Sequence, residues 1–162
     1  MRAVLLLQLS FLLALANGAP IVAAKLLGAR LAYPLDGGLT FFDERPLLGV
    51  SKTIRGVVAA TLATTVGALI IGMPAQVGAI VGASAMAGDA LSSFAKRRIG
   101  LPPHSRATGL DQVPESLLPL IAYRLMAPLS AFEIAAVVAI FFIGEIVLSR
   151  ALYRAHLRDR PY

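Results

Sequence analysis

The stretch "GASAMAGDALSSFAKRRIG", residues 82–100, decides the fold. An apolar run rich in alanine and glycine leads into Asp89 and, two turns on, into Lys96, Arg97 and Arg98. A lone carboxylate inside a hydrophobic helix is expensive, so either a partner neutralises it or a function retains it. On a 3.6-residue period Ser93 and Lys96 fall within about 40° of Asp89, flanked by Ser92 and Arg97, so one polar stripe descends to the end of this helix. Upstream, Gly78, Gly82 and Gly88 allow neighbouring backbones to approach closely, which places the helix at the centre of a bundle.

The whole chain agrees with a membrane bundle. Of its 162 residues 57% are hydrophobic and 15% charged, with a mean hydropathy of +0.77, far from a soluble domain of this size. With no cysteine, disulfides, thiolate metal sites and cysteine nucleophiles are excluded, and two histidines leave little room for a histidine-rich metal site. Five spans are expected, near residues 2–24, 54–72, 75–95, 114–130 and 132–150, forming one all-α, polytopic domain over 1–162. The first also looks like a signal peptide, with Arg2, a leucine-rich core and "ALANGA", but the polytopic remainder favours a span. The fourth carries Arg124, Pro119 and Pro128 and is expected to be kinked or tilted.

All fifteen lysines and arginines except Arg2 and Arg124 fall in the first and third loops and the C-terminal tail. Positive charge favours the cytoplasm, so the N-terminus is expected outside and the C-terminus inside, in the cell membrane. This asymmetry also explains the net charge of +6 without a nucleic-acid partner. The two long loops, 25–53 and 97–113, then share the cytoplasmic side, and function is expected there.

Three pieces carry chemistry. The first is the stripe of Asp89, which is either a metal ligand or a packing residue paired with Lys52 or Arg55. The second is "GVSKTIRG", 49–56, where Ser51 is the expected N-cap of the second helix and Lys52 and Arg55 share its first turn. Free N–H groups, a positive helix end and two cations suit phosphate. The preceding "YPLDGGLTFFDERPLLG", 33–49, has glycine-rich turns with Asp36 and Asp43 and is expected to close over a nucleotide. The third is "HSRATGLDQVPESL", 104–117, which puts Asp111 just before the fourth helix. Two carboxylates, Asp89 and Asp111, facing a basic rim suit Mg²⁺ completed by substrate phosphates, and so phosphoryl or nucleotidyl transfer.

These residues resemble a known family. "GDALSSFAKRR" resembles the core of the CTP:phosphatidate cytidylyltransferases, and "PLDGG", "FFDERPLLG", "SKTIRG", "GDALSSFAKRR" and "LDQ", in that order, resemble the CDP-archaeol synthase family more closely, over about residues 14–118. Ile54 stands where the family pattern has an aromatic residue and Glu44 where it has glycine, while His104 matches no family histidine and reads as a loop residue. The resemblance implies an enzyme that joins CTP and an anionic lipid phosphate from the bilayer into a CDP-lipid, releasing pyrophosphate. It implies Asp89 and Asp111 as Mg²⁺ ligands, Lys52, Arg55, Lys96 and Arg97 as phosphate contacts, and Ser93 as a residue that orients a ligand.

Two other functions fit parts of the pattern. A CTP-dependent lipid kinase would release CDP instead of pyrophosphate. A small transporter would need a path through Asp89, Arg124 and Glu145, but Arg124 and Glu145 lie at depths roughly 10 Å apart at 1.5 Å per residue. Arg124 is expected to snorkel toward Glu133, and Glu145 to be hydrogen-bonded inside the bundle.

Overall fold

The computed structural model describes the chain except Met1, His104, Arg106 and residues 155–162, and the side chains of 148–154. His104 and the basic end of the C-terminal tail therefore lie outside the described residues. Five helices follow one another: α1 (Ala3–Leu27), α2 (Ile54–Ile70), α3 (Ala75–Arg98), α4 (Gln112–Arg124) and α5 (Ala131–Arg154). Among the described residues there is no strand, only isolated bridges pairing Pro34 with Thr53 and Thr40 with Pro46. Among the described residues two helices, α1 and α3, are long and apolar enough to cross a membrane.

α1 is a core element of the bundle. Leu6, Leu9, Leu12, Leu13 and Ala16 are buried, and the leucines join Ala68 of α2, Val77 and Val81 of α3, Leu120 of α4 and Val137 of α5 in one apolar cluster. α3 is central, packing on α1, α2 and α4. Its glycines explain how. A Cβ on Gly78 would sit 2.7 Å from Thr65 Cα, one on Gly82 2.8 Å from Thr61 Cα, and one on Gly88 2.8 Å from Glu115 Cα. The first two glycines seat α2 and the third seats the start of α4, so the small residues are the contact surface itself.

Three expectations need correction. Thr53, not Ser51, caps α2: its Oγ1 accepts from Gly56 N at 3.2 Å. The chain stays extended to that point because Ile54 N donates to Tyr33 O and Thr53 bridges Pro34, so the helix begins two residues later than a cap at Ser51 requires. α4 ends at Arg124 instead of near residue 130, and its 13 residues reach only about 20 Å, short of a bilayer core. Finally, Glu133 pairs with Arg2, not with Arg124. Arg2 Nε and Nη2 donate to its two carboxylate oxygens at 3.1 and 3.0 Å, and Nη2 also reaches Pro128 O at 2.6 Å. Glu133 accepts from Ser130 N and Oγ as well, so this one carboxylate starts α5 and ties it to the start of α1.

Candidate active site

The Asp89 stripe of α3 meets both loops at one end of the bundle. Lys52, the residue before the α2 cap, places Nζ 2.6 Å from both Oδ1 and Oδ2 of Asp89. A second pair lies beside it. Lys96 Nζ sits 2.6 Å from Asp111 Oδ1 and donates to Ser105 O at 2.9 Å, while Asp111 Oδ2 accepts from Ala107 N at 2.9 Å. Asp111 occupies the cap position of α4 but has helical dihedrals and makes no cap hydrogen bond, so its carboxylate turns away from the helix end. The helical stripe and the two loops thus assemble two Lys–Asp pairs.

Other stripe residues are buried with them. Ser93 is buried on the same face, and Ser92 Oγ donates to Asp89 O at 2.9 Å. Arg97 is 3% exposed, and among the described residues its Nε and Nη1 have no hydrogen-bond partner. A buried guanidinium with unmet donors is costly and is suited to an oxyanion.

The remaining expected site residues brace the loops. Arg55 Nη1 donates to Gly28 O at 2.9 Å and Arg30 O at 2.6 Å, tying down the turn that follows α1. Asp36 accepts from Gly38 N at 3.0 Å, Leu48 N at 2.8 Å and Gly49 N at 3.2 Å, and so folds the 33–49 loop around itself. Burial works to raise the Asp36 pKa, but the backbone donors at Leu48, Gly38 and Gly49 outweigh it and hold the carboxyl below its ordinary range. Asp43 accepts from Arg98 Nη1 at 2.8 Å and from Arg45 N at 3.2 Å. Arg45 in return donates to Arg98 O at 2.7 Å, so the loop is clasped to the C-terminal end of α3. Ser51 lines a cavity of about 220 Å³ with Lys52, Arg55, Asp89, Pro20 and Met86. Its lining combines these charged side chains with apolar surface from α1 and α3.

Sequence reasoning missed Glu115. It is 6% exposed, lies on α4 where Gly88 touches it, and is within electrostatic reach of Asp89, Lys52 and Asp111. Its spacing was a usable signal: four residues after Asp111 on a helix is the same face. Gln112, also buried, accepts from Gly109 N at 2.7 Å and fixes the loop entering α4.

The chain that carries these residues matches a known family along its whole length. The model of the CarS-like family, CDP-archaeol synthase, matches residues 1–162. The chain belongs to the CDP-archaeol synthase family. It is 36% identical over 137 residues to the CDP-archaeol synthase of Sulfurisphaera tokodaii, covering 80% of this chain and 81% of that one. It is 30% identical over 152 residues to that of Pyrobaculum calidifontis, covering 91% and 90%. A solved structure described as an intramembrane enzyme for archaeal membrane lipid biosynthesis superposes with a TM-score of 0.68 at 28% identity, covering 85% of this chain and 90% of that one. With this membership the apolar helices are those of a membrane protein. Glu44, which the resemblance sets against a glycine, has φ +62°, a left-handed conformation that glycine adopts without strain.

Proposed function

We propose that this protein is a CTP-dependent cytidylyltransferase that converts an archaeal ether-lipid phosphate into its CDP-activated form. The observation that carries this reading is the paired arrangement of Lys52 with Asp89 and Lys96 with Asp111 around one buried end of the bundle. A lipid phosphate oxygen attacks the α-phosphorus of CTP, the bond from that phosphorus to the β-bridging oxygen breaks, and pyrophosphate leaves with the electron pair. The lipid phosphate is the nucleophile, so no protein nucleophile is required. The protein supplies position and charge neutralisation.

The residues fit that task. Lys52 and Lys96 carry ammonium groups that exchange carboxylate for phosphate partners as substrate enters, and Arg97 offers its unmet N–H donors to a phosphate oxygen. Asp89 and Asp111 are hard oxygen donors, the ligand type Mg²⁺ selects, and each is held by a lysine that substrate phosphates can draw away. Mg²⁺ bound by these two aspartates would neutralise phosphate charge. The cavity that Lys52, Arg55 and Asp89 line also has apolar lining from Pro20 and Met86, a composition suited to a lipid phosphate head with its chains.

The reacting end of the bundle faces the cytoplasm in this reading, because the basic residues of both long loops cluster there and CTP is cytosolic. The test is to offer purified protein CTP labelled on its α-phosphate together with a panel of lipid phosphates. Label in the lipid product with release of pyrophosphate supports the proposal. Release of CDP with transfer of the γ-phosphate would replace it with a lipid kinase.

A further inference from the structure

The 33–49 loop carries Phe41 and Phe42 to the outside of the bundle. Along α3, Ile80, Ala83, Ala87 and Leu91 are exposed, and their spacing of three and four residues continues through Phe94 and Arg98. They form a single helical face. It is opposite the face of Ser93, Lys96 and Arg97, which points into the site, and on a membrane-spanning helix it is the face that meets lipid.

At the C-terminal end of this face the 33–49 loop folds over the helix. The Phe41 ring meets Phe94 edge to face at 5.3 Å, and the Arg98 guanidinium lies over both rings, 4.7 Å from Phe41 and 4.9 Å from Phe94. Arg98 also donates to Asp43 at 2.8 Å and Pro46 O at 2.6 Å. The tip is therefore held rigidly. Phe42, packed edge to face on Phe41 at 5.0 Å, is nonetheless 97% exposed, and Leu39 beside it is 62% exposed. Phe41 and Phe42 in contact present an apolar aromatic surface at the tip, the kind of surface that marks a protein or membrane contact when it is more than a lone side chain.

We propose that the Phe41–Phe42 tip is a bilayer anchor, with the Phe42 ring seated at the boundary between headgroups and acyl chains. Two observations select lipid as the occupant. The Phe42 ring packs on Phe41, which packs on Phe94 at the end of the outward face of α3, and Arg98 lies over Phe41 and Phe94, so apolar aromatic surface and a basic group stand side by side as they do where a protein lies in a membrane interface. The face of Ser93, Lys96 and Arg97 lies on the other side of α3, and Asp89 is about 7.5 Å along the axis from Phe94, on which the tip packs, at 1.5 Å per residue. The anchor thus fixes the loop that Asp36 organises and sets the depth at which the site opens relative to the headgroups. The inference depends on the membrane embedding of the chain and not on the cytidylyl-transfer chemistry.

The chain contains no tryptophan, so Phe42→Trp introduces a single emitter at a position where the larger ring displaces nothing. The full-length variant, reconstituted into vesicles of phosphatidylcholine and phosphatidylglycerol, is quenched in turn by aqueous iodide and by lipids spin-labelled near the ester end or near the terminal methyl of the acyl chain. The expected result is blue-shifted emission, severalfold stronger quenching by the ester-end label than by either alternative, and no change on adding CTP. Iodide quenching equal to that of free indole would overturn the proposal. So would protection from iodide that appears only with CTP, which would make the tip a nucleotide cover. Emission that tracks the protein-to-lipid ratio would also overturn it, because a second copy would then be covering the ring.

Discussion

Replacing Asp89 by asparagine keeps the volume and removes the charge, so it separates a packing role from a chemical one. Lys52 Nζ contacts both oxygens at 2.6 Å, and the two side chains are 18% and 25% exposed. Breaking a fully buried pair costs about 3–5 kcal/mol and an exposed one less than about 1 kcal/mol, so this intermediate pair should cost about 1–3 kcal/mol. If Asp89 holds Mg²⁺ against the substrate phosphates, turnover should fall by about 10²–10³, equivalent to roughly 2.7–4 kcal/mol of transition-state stabilisation. The assays are CDP-lipid formation at saturating CTP and thermal unfolding in detergent micelles, both on Asp89→Asn and Lys52→Met. Near-normal turnover in an Asp89→Asn protein that unfolds earlier would refute the chemical role and leave the pair as a packing device.

Asp36→Asn should loosen the 33–49 loop, seen as faster hydrogen exchange at the Leu48 and Gly49 amides that its carboxylate now holds. Because the folded pKa of Asp36 is depressed, its contribution is complete above the ordinary aspartate value of 3.8 and is lost as pH falls through the lower folded value, so wild-type exchange at those amides should approach that of the variant only in acid. Gly88→Ala should push α4 from α3, since its methyl would lie 2.8 Å from Glu115 Cα, and should cost about 1–3 kcal/mol with a further loss of turnover as Asp111 moves. A Gly88→Ala protein with wild-type unfolding and kinetics would contradict the close helix contact.

Much of the bundle was legible in the residues alone, because apolar runs long enough to form helices depend on local composition. The centrality of α3 followed from Gly78, Gly82 and Gly88, whose missing side chains record a close approach wherever the partner comes from. The boundaries of α2 and α4 were not local properties. Thr53 displaced Ser51 as cap because a bridge to Pro34 keeps the chain extended, and α4 ended early because the segment after Arg124 turns toward α5.

The charges divide in the same way. Asp89, Lys52, Lys96 and Asp111 were recognisable as a set from their types and their places at helix ends, but which lysine meets which aspartate depends on how α2, α3 and α4 cross. Glu115 joined the site only when Gly88 brought α4 against α3, and Glu133 found Arg2, at the far end of the chain, instead of Arg124. A charged side chain in an apolar bundle takes the counter-ion that tertiary packing delivers within reach, and sequence distance does not enter that choice. Local composition therefore determined the elements and the chemical types available, and tertiary packing decided the partners.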